Sequence, residues 1–191
     1  MRNSHIQLLC PIMTRQTLHI ITALFLVLTS CQNKHSTSDK KMETAIDKIK
    51  RDQLVKKYDL LKFRDIKLPV LLTIDEFFDG NNDEASIAPN LETKRPMTEY
   101  YKILKELADN PKTIDAFAEL KDVMIYDNGQ LNDNEWFYTD VIYFVGDLTK
   151  EEIKEATKTL QPDEVEYDTE NRIKGLSEKY KDKKVVYVWW D

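Results

Sequence analysis

Apolar and polar positions divide this 191-residue chain into stretches of different period. Residues 18–28 (LHIITALFLVL) are an eleven-residue run in which only His19 and Thr22 are polar. Residues 32–41 (QNKHSTSDKK) hold no apolar side chain and read as a disordered spacer. Beyond it Ile46, Ile49, Leu54, Tyr58 and Leu61 recur at a helical spacing, so 42–66 is expected to lead into the domain as a helix. Residues 69–74 (PVLLTI) predict a short strand. Pro96 opens a helix whose Met97, Tyr100, Tyr101, Leu104, Leu107 and Ala108 share one face.

Asn110 followed by Pro111 reads as a cap with proline at the first helical position, which predicts a second short helix to about Leu120. Residues 123–126 are the next expected strand, followed by a turn at Asn128-Gly129. Residues 136–145 (WFYTDVIYFV) form the longest strand candidate. They are apolar on both faces apart from Thr139 and Asp140, and so belong at the centre of a sheet. Thr149 with Glu152 makes a capping box before a helix that buries Ile153, Ala156 and Leu160. A strand at 164–167, a weaker helix at 170–180 and a strand at 184–190 (KVVYVWW) complete the pattern. The order predicts an α+β fold: a mostly antiparallel sheet with helices on one face, ferredoxin-like with additions.

Composition narrows the chemistry. His5, His19, His35, Cys10 and Cys31 are the only histidines and cysteines, and from 67 to 191 there are none. That domain therefore has no means of building a Ser-His-Asp or Cys-His device, a zinc site with nitrogen or sulfur ligands, or a disulfide. Charge is uneven. Residues 32–66 carry ten Lys or Arg against six acids, whereas 67–191 carry sixteen against twenty-eight, a net charge of −12. A domain this acidic repels nucleic acid and suits a basic partner. No cofactor and no metal are expected of it.

The eleven-residue run is too short for a membrane span, which takes about 20 apolar residues, and matches the apolar core of a signal peptide. Leu28, Thr29, Ser30 and Cys31 resemble the lipobox of bacterial lipoproteins. The resemblance implies that 1–30 is a signal peptide, that the mature chain begins at a lipid-carrying Cys31, and that 31–41 is a tether. Gln32 after the cysteine, in place of Asp, implies the outer membrane of a Gram-negative envelope. Met13, followed by Arg15 before the apolar run, is a better signal-peptide start than Met1.

Residues 74–91 (IDEFFDGNNDEASIAPNL) concentrate acids beside two phenylalanines. Asp79, Asn81 and Asp83 keep the first alternation of a calcium loop, but Glu84 stands where the turn glycine belongs and Asn90 where a bidentate Glu is needed. A carboxylate pair for glycoside hydrolysis, drawn from Asp75, Glu76, Asp79, Asp83, Glu84 and Asp140, is a second reading, with no spacing that fixes the pair. The third reading is a binding rim. Asp75, Glu76, Asp79, Asp83 and Glu84 would meet Lys or Arg of a protein partner, with Phe77, Phe78, Trp136 and Trp190 as aromatic anchors. Alternation puts Trp189 and Trp190 on opposite faces of the last strand, so that one of them is free to meet solvent or a partner.

The segments TIDEFFDGNNDEASIAPNL, YYKILKEL, LQPDEV and VVYVWWD resemble a family of small acidic bacterial domains associated with immunity proteins of polymorphic toxin systems. That resemblance spans about 68–191. It implies a non-catalytic, lipid-anchored inhibitor of a basic toxin, with an accessory envelope lipoprotein as the competing reading and a small carboxylate enzyme as the third.

Overall fold

Alternation of inward and outward side chains on the paired strands sorts the domain into two unlike faces of one sheet. The computed structural model describes residues 46–126 and 128–191. The expected signal peptide, lipidated Cys31 and tether lie outside the described residues. Helix α1 (Lys48–Tyr58) is followed by a 3-10 stretch at Leu60–Asp65, strand β1 (Leu71–Thr73), and helices α2 (Ile74–Phe78) and α3 (Met97–Ala108). Strands β2 (Thr113–Glu119) and β3 (Val141–Gly146), helix α4 (Lys150–Thr157), and strands β4 (Glu164–Tyr167) and β5 (Lys184–Trp189) complete it.

The five strands form one wholly antiparallel sheet in the order β1-β2-β3-β5-β4. The α+β class and the antiparallel sheet are as the sequence predicts. The succession of elements follows the ferredoxin-like plan with additions, while β1, β2 and β3 lie side by side in chain order. The outermost strands, of three and four residues, are the shortest.

Register makes the two faces explicit. On the first face Ala118, Ile142, Val188 and Val165 lie side by side across four strands, and Ala116, Phe144, Val186 and Tyr167 form the adjoining row. Helix α3 packs this face through Tyr100, Leu104 and Leu107, and Ile153 of α4 and Phe77 of α2 join the same core. Trp190, fully buried, closes the core edge-on to Tyr100, and its indole N–H donates to the Leu160 carbonyl at 2.9 Å. Burial of one such side chain contributes about 2–3 kcal/mol.

The second face carries Glu119, Val141, Trp189 and Glu164 in one row and Phe117, Tyr143, Tyr187 and Glu166 in the next. The irregular segment after β4 covers part of it: Ile173 packs with Val145 and Val185, and Tyr180 meets Phe117 edge-on.

Several elements depart from expectation for identifiable reasons. The short helix predicted after Asn110-Pro111 is strand β2, because Asn110 makes a turn instead of a cap. Its side-chain oxygen accepts from Lys112 N and its carbonyl from Thr113 N. The same residue types serve both purposes, and pairing between β1 and β3 decides the outcome. Residues 123–126 form no strand: Ile125 makes an isolated bridge to Leu131, and Asp122, just before them, makes one to Tyr138. The long strand expected from 136 begins at Val141; before it Tyr138 makes a single bridge to Asp122 and Thr139 a single bridge to Ile87. The weaker helix at 170–180 is reduced to two 3-10 turns.

Helix α1 packs Val55, with Leu54 and Tyr58 beside it, against the core, and polar contacts hold it as well. Asp47 caps it, accepting from Ile49 N and Lys50 N. Arg51, 3% exposed, donates to the carbonyls of Asn132 and Glu135. Asp47 N also donates to the Gly80 carbonyl at 2.8 Å, where φ is +86° and a Cβ would approach the Asp47 Cβ to 2.7 Å. No helix among the described residues is long and apolar enough to cross a membrane.

Candidate binding face

The acidic segment after β1 begins as a helix. Thr73 caps α2 through Glu76 N, and Glu76 returns to Thr73 N, completing a capping box. Lys57 and the Tyr58 hydroxyl also donate to Glu76. Burial pushes its pKa up, but hydrogen bonds from Lys57, Thr73 and Tyr58 outweigh this and hold it below the usual range. Asp75 accepts from the Tyr101 hydroxyl at 2.9 Å and lies 3.4 Å from the Lys105 ammonium. Asp79 pairs with Lys50. Asp83 shapes the loop, one oxygen accepting from Ala85 N and the other from Trp136 N. Glu84 is exposed. Among the described residues no three His, Cys, Asp or Glu side chains gather as a metal site.

The four aromatic anchors require correction. Phe77 and Trp190 are completely buried, and Phe78 and Trp136 nearly so, which makes them core side chains. Phe77 and Phe78 pack edge to face with centroids 5.0 Å apart under α3, and Trp136 packs against Phe137 at 5.4 Å. Their apolar area is worth more inside a domain of this size than at its rim. The acids and the aromatics therefore share a sequence segment without sharing a surface.

The second face of the sheet assembles a different constellation. Where the 168–183 segment stops short, a cleft of about 360 Å³ opens over Val141, Tyr143, Tyr187 and Trp189. Beneath one end lies Glu119, 8% exposed. It accepts from the Tyr143 hydroxyl at 3.0 Å and lies 3.2 Å from Lys121 and 3.5 Å from Arg172. Burial, together with the charge on Glu119, pushes the Tyr143 hydroxyl well above its ordinary pKa. Arg172 also donates to Glu170 at 2.9 Å, and Lys121 is 3.8 Å from Asp140.

Asp140 stands just before β3. Burial raises its pKa against the opposing pull of Lys121. The lone acid among apolar neighbours is thus a partly buried member of an ion pair with Lys121. At the other end Tyr187 and Glu164 line the cleft, and burial, followed by the influence of the Glu164 carboxylate, pushes the Tyr187 hydroxyl up to about 12. Asp168 lines the same cleft. Its Oδ1 accepts from Glu170 N at 3.1 Å, while its buried Oδ2 has no hydrogen-bond partner.

Residues 49–187 match the sequence profile described as the Uncharacterized protein YfbO family. The chain belongs to the YfbO family. No curated protein and no solved structure matches it. The YfbO match begins inside α1 and ends inside β5, so it includes both the acidic segment and the cleft as far as Tyr187. The cleft residues were missed in sequence because they come from four separated segments. The available signal was the alternation in 184–189, which puts Val185, Tyr187 and Trp189 on one side.

Proposed function

We propose that this chain is a non-catalytic binding protein, held to the envelope by lipid on Cys31, that neutralises a basic protein partner in the manner of the immunity proteins its sequence resembles. The observation that carries the reading is the net charge of −12 over 67–191, on a domain without histidine or cysteine. Such a charge draws a basic partner by long-range steering and raises the encounter rate. The carboxylates of α2 and the following loop supply part of that field, with Asp79 and Glu84 exposed. The aromatic contribution comes from Tyr187 and Trp189, which are partly exposed, in place of the four anchors expected from sequence.

The test is isolation of the native protein from its own membranes, followed by mass spectrometry of what accompanies it. A stoichiometric basic protein is the expected result. Recovery of envelope-assembly proteins alone would transfer the assignment to an accessory lipoprotein. Labelled palmitate on the wild type, absent from Cys31→Ala, is the expected outcome for the anchor.

A further inference from the structure

The cleft on the second face has an inventory of charges that does not close on itself. Its two cations are already engaged: Lys121 lies between Glu119 and Asp140, and Arg172 lies between Glu119 and Glu170. Two carboxylates remain on the opposite wall. Glu164 lines the cleft opposite Trp189 in the strand register, and Asp168, 8% exposed, keeps one oxygen buried and unpartnered. A buried carboxylate oxygen without a partner is costly, and a cation or hydrogen-bond donor entering the cleft relieves that cost. Between the two carboxylates lie the rings of Tyr187 and Trp189, whose faces attract a desolvated cation. The volume, about 360 Å³, is at the small end for ligand pockets.

We infer that this cleft is a binding site for an organic cation, an alkylammonium or guanidinium group, seated on Tyr187 and Trp189 and held by Asp168 and Glu164. The inference goes beyond the proposed function, since it names ligand chemistry and holds whether or not the partner is a toxin. Such a group comes either from a small free amine or guanidine or from a Lys or Arg side chain of a protein. Both sources present the same donors.

The experiment is a titration of the ¹⁵N-labelled full chain in detergent with N-acetyl-arginine amide and N-acetyl-lysine amide. N-acetyl-citrulline amide serves as the neutral control. The readout is the indole cross-peak of Trp189, assigned with Trp189→Phe; the other two tryptophans are buried. A saturable shift with the cations and none with citrulline is expected, with affinity falling about tenfold in Asp168→Asn through loss of a charge-assisted bond. If Asp168→Asn does not fold, Glu164→Gln at an exposed position is expected to weaken binding several-fold. A basic peptide binding at least tenfold more tightly than the amides would assign the cleft to a protein side chain, and equal affinities to a free cation. Equal shifts with citrulline and arginine, or a folded Asp168→Asn that binds as the wild type does, would overturn the inference. Failure of the titration beside a successful isolation of a basic partner would remove the cleft and leave the proposed function standing.

Discussion

Strand β3 divides its six residues between two environments that solve burial differently. Ile142 and Phe144 face the helices and belong to the apolar cluster there, whereas Val141, Tyr143 and Val145 face a thin covering of irregular chain and an ion cluster. All six are buried. Burial alone therefore does not separate a core from a site; the difference lies in whether polar groups have been carried inside with the apolar ones. On the first face stability follows from area and packing. On the second it depends on keeping Glu119 paired, because a buried charge that loses its partners costs far more than the pair contributes.

The comparison is broken or sharpened by substitution. Phe144→Ala on the helix face is expected to cost about 4 kcal/mol, through lost transfer energy and the cavity left behind. Urea unfolding followed by circular dichroism measures it, and a cost below that of any second-face substitution would reverse the comparison. Gly146→Ala, where φ is +151° and a Cβ would overlap the Lys112 carbonyl, is expected to cost about 2 kcal/mol whichever face is considered. Glu119→Gln should cost about 1–2 kcal/mol, since the Tyr143 hydroxyl keeps an acceptor while Lys121 and Arg172 lose a charge. Both cations are partly exposed, and water limits the loss. Asp79→Lys, an exposed change on the acidic segment, should stay within about 0.5 kcal/mol by the same unfolding assay.

The smallest effect concerns pH. Glu152 is held at a pKa of about 2, first by the Lys112 ammonium and then by the backbone of Thr149 in the capping box. Because the folded value lies below the unfolded one, its contribution is fully present above about pH 4.5 and is lost as pH falls towards 2. Carboxyl NMR titration of Lys112→Met should show the value rising towards the ordinary range. A value left near 2 would assign the depression to the cap alone.

These differences explain how much was legible beforehand. The capping box at Thr149 and Glu152, the face of α3 apart from the exposed Tyr101, and the limits of β4 depend on neighbours three or four residues away, or on simple alternation, and were read correctly. Strand β2 was misread because Asn110-Pro111 is locally ambiguous and only its sheet partners resolve it. The buried aromatics were misplaced for a related reason: a count of large rings does not reveal that α2 tucks Phe77 and Phe78 under α3. The cleft was the least legible feature. Glu119, Tyr143, Asp168 and Trp189 are up to seventy residues apart in the chain, and only strand register brings them together.

The arrangement of strand lengths has a consequence for growth of the sheet beyond one molecule. With three residues at one border and four at the other, each edge presents few unpaired backbone groups to a neighbouring copy. Copies crowded at high local concentration are thereby given little template for strand-by-strand addition, so the sheet ends with the chain that makes it.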